Sequence, residues 1–314
     1  MPVPLLDNRQ LGTDTARQNL LTNGGFFVAQ RGTGPFTANA QWPADRWQIT
    51  LTGTSTMSVS QTGVNAGPGA TTVSGVLGSF TFGSGGTSFC AQALKVGDFG
   101  GHTLRGRSFA ASVRVFANAA NAVRLRLYMD GTGGVIAWSP YHTGDNTWQT
   151  LTVVSGSVVP NDATQISLAV QLDASVSQWG MANAMLVPGT VPADYMGLHP
   201  ADDLLRCLRY YELASTSTAP MAPAMAISAT TALAGWFYRV PKVIAPTVTI
   251  SAAGDLQLLN SAAAAIVCNG FSVVNGNQLS VDVRPAVASG LVAGNATFLY
   301  GFTANAKLIA EANP

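Results

Sequence analysis

The sequence predicts an all-β fold: an N-terminal arm, an antiparallel sandwich of jelly-roll type, a short helix, then a second, smaller β-sandwich domain. Three observations predict it. Apolar residues recur with period two in many short segments, the pattern of half-buried strands. Clusters rich in Gly, Asn and Asp separate those segments, as turns require. Only one stretch shows helical spacing. At roughly 100–200 residues per domain, 314 residues accommodate two such units.

Residues 1–21 hold prolines, Asp7, Arg9, Asp14 and Arg17 among scattered leucines. They read as an extended arm or a short irregular helix, not a domain, that docks on a neighbour. Period two begins in the 22–200 region. Trp47, Ile49 and Leu51 alternate with Gln48 and Thr50, and Phe109, Ala111, Val113 and Val115 with Ser112 and Arg114. Val123, Leu125, Leu127 and Met129 alternate with Arg124, Arg126 and Tyr128. Leu151 and Val153 follow Trp148; Ile166, Leu168, Val170 and Leu172 form a further strand, and Trp179, Met181 and Met185 close the series. The Gly/Ser/Thr-rich stretch 62–88 reads either as irregular loops or as weak edge strands. Residues 201–226 read as helix and linker. Asp202 and Asp203 start the helix, Leu204, Leu205, Leu208 and Tyr211 lie along one face, and an Ala/Ser/Thr/Pro run over 214–226 follows as a linker or extended segment. Strand patterns resume over 227–314, at Trp236–Val240, Thr247–Ile250, Phe271–Val274, Leu279–Val283 and Thr297–Phe302.

Composition excludes several function classes. Charged residues are 10% of the chain and the net charge is +1, with three lysines among sixteen cations. No basic field is present to hold a phosphate backbone, so nucleic acid is not an expected partner. No run of 18 apolar residues exists, so membrane insertion is not expected. Met1-Pro2-Val3-Pro4 lacks the basic and apolar regions of a secretion signal. Cys90, Cys207 and Cys268 are too few and too scattered for a disulfide framework or a zinc site; they read as buried small hydrophobes. A 47% hydrophobic chain with a Ser/Thr/Asn/Gln/Gly exterior suits packing against copies of itself or contact with neutral polymers.

Particular motifs carry a resemblance. Asn23-Gly24-Gly25-Phe26, Gln30-Arg31-Gly32 and Ala44-Asp45-Arg46-Trp47 resemble the opening of carbohydrate-binding-module-like jelly rolls in bacteriophage fibre and decoration proteins. Asn146-Thr147-Trp148-Gln149 and the run from Trp179 to Gly189 are similar to that family's last strands. Arg206-Cys207-Leu208-Arg209-Tyr210-Tyr211 is similar to the segment that ends the jelly roll. Phe237-Tyr238-Arg239-Val240-Pro241 with Ala245-Pro246-Thr247-Val248-Thr249 resembles its C-terminal β domain. The resemblance implies a virion surface protein, commonly a homotrimer, made in the host cytoplasm and assembled with phage capsid or tail proteins. One departure stands out: Val187 occupies the place of an acidic residue usual in the family.

Three functions compete on this reading. The first is a trimeric fibre or spike-type protein for host attachment that touches host surface polysaccharide. The second is a capsid decoration protein, a head fibre or cement. The third is a glycan depolymerase. The sequence disfavours the third and any other enzyme. Glu occurs only at Glu212 and Glu311, thirteen aspartates show no readable pairing, and no nucleophile elbow, Walker loop or His-Glu-x-x-His is present. No catalytic residue, cofactor or metal is expected; His102 and His199 lack ligand spacing, and Asp130 and Asp145 near glycines are only a faint calcium pattern.

The candidate glycan site is the polar face of the strand 123–130. Arg124, Arg126, Tyr128 and Asp130 share one side by strand geometry. Sugar rings need flat aromatic faces, and hydroxyl pairs need planar hydrogen-bonding groups. Trp42, Trp138, Tyr141 and His142 lie in or near loops; Trp138 and Tyr141 extend the site, against the commoner role of such aromatics as lids on the core. The same face could instead pair with another subunit or stay wet. Asp45-Arg46-Trp47 reads as core aromatic plus loop tie, with ligand contact as the alternative. Leu204, Leu205, Leu208 and Tyr211 are candidates for a threefold seam, against the simpler role of capping their own domain.

Overall fold

A computed structural model describes residues 19–66, 71–99, 104–214 and 220–313. The chain divides into two compact units between Leu204 and Leu205. Strand is the dominant regular structure, and the strand pairs among the described residues are antiparallel.

The first unit is a two-sheet sandwich. Its strands are β1 (Gln48–Thr50), β2 (Thr56–Val64), β3 (Val73–Thr81), β4 (Ser88–Lys95) and β5 (Phe109–Ala117). Then come β6 (Val123–Met129), β7 (Val135–Trp138), β8 (Trp148–Val154), β9 (Gln165–Leu172) and β10 (Val176–Pro188). One sheet has the order β1-β4-β9-β6-β7, the other β2-β3-β10-β5-β8. Alternation decides the faces. Val123, Leu125, Leu127 and Met129 of β6, and Ile166, Leu168, Val170 and Leu172 of β9, have no exposed surface. They meet Val59, Val76, Val113, Val115, Trp179 and Met181 of the other sheet in one core. The open question at 62–88 resolves as a long hairpin: β2 and β3 pair without a break from Thr56↔Thr81 to Val64↔Val73.

The opening motif is a fold element. Asn23 is buried with φ 58, a left-handed conformation that Asn tolerates. Its side-chain Nδ2 donates to the carbonyls of Val28 (2.8 Å) and Asp45 (3.0 Å), and its Oδ1 accepts from Val28 N–H (3.0 Å). Its carbonyl accepts from the Trp47 indole at 3.0 Å, and Trp47 packs on Phe26 with ring centroids 4.9 Å apart. At Gly24 a Cβ would sit 2.3 Å from the Ala184 carbonyl oxygen, so no side chain fits. Asp45 accepts from the Gln30 backbone and side chain, and Arg46 donates to the Ala93 carbonyl. Asp45-Arg46-Trp47 is thus core and loop tie. Of the predicted docking arm, residues 1–18 lie outside the described residues. Asn19 and Leu20 run against the end of β10, through Asn19 Nδ2 to Ala184 O and Leu20 N–H to Leu186 O.

The helix, α1 (Pro200–Leu208), begins two residues before the predicted start. His199 caps it, its carbonyl accepting from the Asp202 and Asp203 N–H groups and its Nδ1 from Ala201, and Pro200 suits the first turn. The helix stops at Leu208, so Tyr211 is not helical; it opens β11 (Tyr211–Ala214).

The second unit holds the remaining strands. These are β12 (Pro220–Ala226), β13 (Ala232–Phe237), β14 (Thr247–Ile250), β15 (Leu256–Leu259), β16 (Ala265–Val267), β17 (Gly270–Val274), β18 (Ser280–Ala286), β19 (Ala296–Gly301) and β20 (Leu308–Glu311). A three-stranded sheet β11-β20-β14 and a seven-stranded sheet β16-β15-β19-β12-β13-β18-β17 share a core of Trp236, Leu256, Leu258, Val281, Val283, Leu299 and Leu308. The predicted linker therefore ends early: residues 220–226 form β12, an internal strand. Its prolines are tolerated because β13 pairs only with Ala224–Ala226, leaving Pro220 and Pro223 opposite β19 alone. Inside this unit Lys242 and Glu212 are both buried. Lys242 Nζ donates to Glu212 Oε2 (2.5 Å) and Leu208 O (2.5 Å). Burial pulls the Lys242 pKa down, and Glu212 only partly offsets this. Cys90, Cys207 and Cys268 are buried.

Candidate functional site: an arginine–aromatic face on the jelly roll

Strand register builds the site. Antiparallel partners share a face, so the outer surface of β1-β4-β9-β6-β7 can be read in rows. One row is Thr50, Phe89, Gln171, Arg124. The next is Gln48, Ala91, Ala169, Arg126, Trp138, and a third is Ala93, Ser167, Tyr128, Ile136. Small residues occupy the middle of β4 and β9, and large planar ones stand on β6 and β7. Nothing larger than a methyl group rises from Ala169, so Arg126 can lean across β9. Its guanidinium carbon lies 5.3 Å from the Phe89 ring centroid and 5.1 Å from that of Tyr128. Phe89 is two strands away, about 10 Å at the usual ~4.8 Å strand spacing, a reach only a long side chain makes.

Arg124 is held differently. Its guanidinium carbon lies 5.1 Å from the Trp138 centroid and 4.7 Å from that of Tyr141. Its Nε is 2.7 Å from Asp173 Oδ2. Tyr141 donates its hydroxyl to the same carboxylate (2.8 Å), and Gln171 Nε2 donates to its other oxygen (2.8 Å). Burial and the neighbouring Asp173 push the Tyr141 pKa up. Arg124 is thus neutralised and clamped, while Trp138 remains 46% exposed.

Of the sequence-predicted site residues, the structure brings Arg124, Arg126, Tyr128, Trp138 and Tyr141 together. Asp130 goes elsewhere. Its Oδ1 accepts from the backbone of Thr164 (2.8 Å) and Gln165 (2.7 Å), and its Oδ2 from the Thr164 hydroxyl. Burial works to raise its pKa, but these bonds outweigh it and the pKa falls. Asp130 pins β6 to the start of β9. His142 is likewise structural: buried, with Nδ1 accepting from Gly144 N–H (2.9 Å) and Nε2 donating to Thr147 O (3.0 Å). Trp42 lies under Arg31, 5.0 Å from guanidinium carbon to centroid. No group of three or more His, Cys, Asp or Glu placed to hold a metal occurs among the described residues. The proposed seam is only partly open: Leu208 and Tyr211 are 1% and 5% exposed within this chain, Leu204 is half-buried and Leu205 is exposed. Burial inside the chain leaves Leu208 and Tyr211 unavailable to another copy.

The opposite sheet carries a second feature that sequence reasoning missed. A groove of about 570 Å³ crosses its outer face, lined by Ser58, Ser60, Ser79, Leu77, Phe116 and Trp148 among others, none charged. Gly180 lies beneath two of its lining residues, Leu77 and Trp148. A Cβ there would lie 2.5 Å from Leu77 Cδ2 and 3.0 Å from the Trp148 ring. The run of Ser and Gly in 56–81 is the signal that hid it, since such residues read as loop.

No protein-family model matches this chain, and neither does any curated protein. Solved structures are similar to it over about half its length. The family 11 carbohydrate-binding module of the cellulase Lic26A-Cel5E of Clostridium thermocellum is 14% identical, covering 52% of this chain and 99% of that one, with TM-score 0.34. An apo cyclase from Fischerella sp. is 13% identical, covering 56% and 97%, with TM-score 0.38. The enzymatically active domain of tailspike protein 4 of bacteriophage CBA120 is 15% identical, covering 55% and 22%, with TM-score 0.36.

Proposed function

We propose that this chain is a surface protein of a bacteriophage particle, assembled as a homotrimer, whose first unit binds host glycans without cleaving them. The observation that supports binding is the arginine–aromatic face: two guanidinium groups wedged between four aromatic rings, with Trp138 exposed beside them. Such a face offers ring surfaces to pyranose C–H groups and fixed N–H donors to hydroxyls. Arg124 is already clamped by Asp173, so ligand binding orders little more side chain. The phage and trimer parts rest on the motif resemblance. A tagged copy located on intact virions and a solution mass three times that of the chain are their tests; a clean monomer at micromolar concentration refutes the trimer.

A second reading places the glycan in the groove, because its uncharged serine lining and the Trp148 wall suit a neutral chain. One experiment separates them. Binding to purified host polysaccharide is measured for Tyr128→Ala and Trp148→Ala, with polymer length followed throughout. Loss of one stacking ring, worth about 1–2 kcal/mol, weakens binding about tenfold. The face predicts that loss for Tyr128→Ala alone. The reverse pattern assigns the groove, and release of reducing ends refutes a purely binding role.

A further inference from the structure

We infer that the arginine–aromatic face selects acidic polysaccharides, with Arg126 receiving the carboxylate of a uronic acid residue and Tyr128 stacking on the sugar beside it; this deepens the glycan-binding reading and rests on it. The first support is how the face's charges are matched. Arg124 pairs with Asp173. Lys95 donates to Gln165 and lies in the field of Asp130, lowering that carboxyl's pKa. Arg126 has neither a hydrogen bond nor an ion pair among the described residues, and none of its nitrogens is buried without a partner. Its N–H groups therefore reach solvent. The second support is orientation. The Phe89 and Tyr128 rings lie against the guanidinium, which leaves the hydrogen-bonding edge as its open side. A planar fork with pinned faces and a free edge matches the two oxygens of a carboxylate.

The ligand class follows from what is absent around that fork. A nucleic acid or densely sulfated chain needs several cations along its track. Here one open guanidinium stands over the buried Ala91 and Ala169, with the small residues Ala93 and Ser167 beside it, a setting that matches a single acidic group. An acidic polysaccharide presents such groups one per sugar or fewer.

The test uses the full chain with polygalacturonate, alginate and hyaluronan, each against its carboxyl-reduced neutral form, by titration calorimetry at about 0.15 M salt. At least one acidic polymer is expected to bind tenfold or more tighter than its reduced partner. Arg126→Gln should bring the acidic polymer down to the reduced polymer's affinity and leave the latter within twofold. Arg126→Lys, which keeps charge without the fork, should recover only part of the loss. Tyr128→Ala should lower both. Unchanged melting temperatures show that the surface variants fold. Equal binding of acidic and reduced forms overturns the carboxylate assignment and leaves glycan binding standing. Binding of none of these polymers removes both. Tighter binding of dextran sulfate or single-stranded DNA than of any uronate also overturns the assignment.

Discussion

Replacing Asn23 tests whether the opening motif is a structural knot. The Asn23 side chain makes three buried hydrogen bonds, two to carbonyls and one from an N–H, and its backbone is left-handed. Asn23→Ala deletes all three and puts a Cβ-bearing residue without a local polar partner at φ 58. At about 1 kcal/mol per bond and about 1 kcal/mol for the left-handed backbone, the loss is about 4 kcal/mol. Asn23→Gly loses the same bonds but suits the backbone, so it should be about 1 kcal/mol less harmful. Five of the six tryptophans lie in the first unit, and only Trp236 lies in the second. A Trp236→Phe background therefore lets urea unfolding followed by fluorescence report the first unit alone. With a slope of about 2 kcal/mol per molar, the midpoint should fall by about 2 M for Asn23→Ala. A drop under about 0.5 M, or a glycine variant weaker than the alanine one, refutes the knot.

Two further outcomes follow from buried and hydrogen-bonded charges. Lys242→Met leaves the Glu212 carboxylate buried without its ammonium partner, so it should cost about 3–5 kcal/mol. Adding Glu212→Gln should restore part of that, measured by thermal melting; a single variant within about 1 kcal/mol of wild type refutes the coupling. In acid, the Thr132 side chain and backbone hold the Asp162 pKa below its ordinary 3.8, and Thr147 does the same for Asp145. A depressed carboxyl contributes stability above its unfolded pKa and loses it as pH falls through the folded value. The first unit should therefore weaken below about pH 4, and Asp162→Asn should flatten that acid limb; an unchanged acid limb refutes the assignment.

Much of this fold was legible in the sequence where one face is apolar and the other polar. Val123 to Met129 shows it: inner residues fully buried, outer residues half-exposed. That same alternation put Arg124, Arg126 and Tyr128 on one side. Legibility failed where polarity and direction part company. In β4 the inward residues are Ser88, Cys90, Gln92 and Leu94, and the outward ones Phe89, Ala91, Ala93 and Lys95. Gln92 is buried because it bonds both the N–H and the carbonyl of Thr22 at 2.7 Å, a contact seventy residues away that no local pattern shows. Phe89 faces outward and so read as nothing, yet it is the ring under Arg126. Asp173 and Gln171 were missed for the same reason: they act through Arg124 and Tyr141, across strands. β12 stayed hidden because Ala, Met and Pro carry no strand signature of their own.

The scarcity of charge is itself what makes Arg126 informative. In a richly charged surface an arginine without a counter-ion is commonplace and signals nothing in particular. Here most of the few charged groups of the first unit hold the fold. Asp45, Asp130, Asp145 and Asp162 accept from turns and strand ends, and Arg46 and Arg105 donate to carbonyls. Against that background Arg126 stands apart: its guanidinium is open yet braced by rings from two different strands, and it accepts no turn or strand-end role. The bracing removes rotamer freedom before any ligand arrives, which is costly for a long side chain unless binding recovers it. Removing the brace should therefore affect binding more than stability: Phe89 packs on Arg126 and lies outside the core.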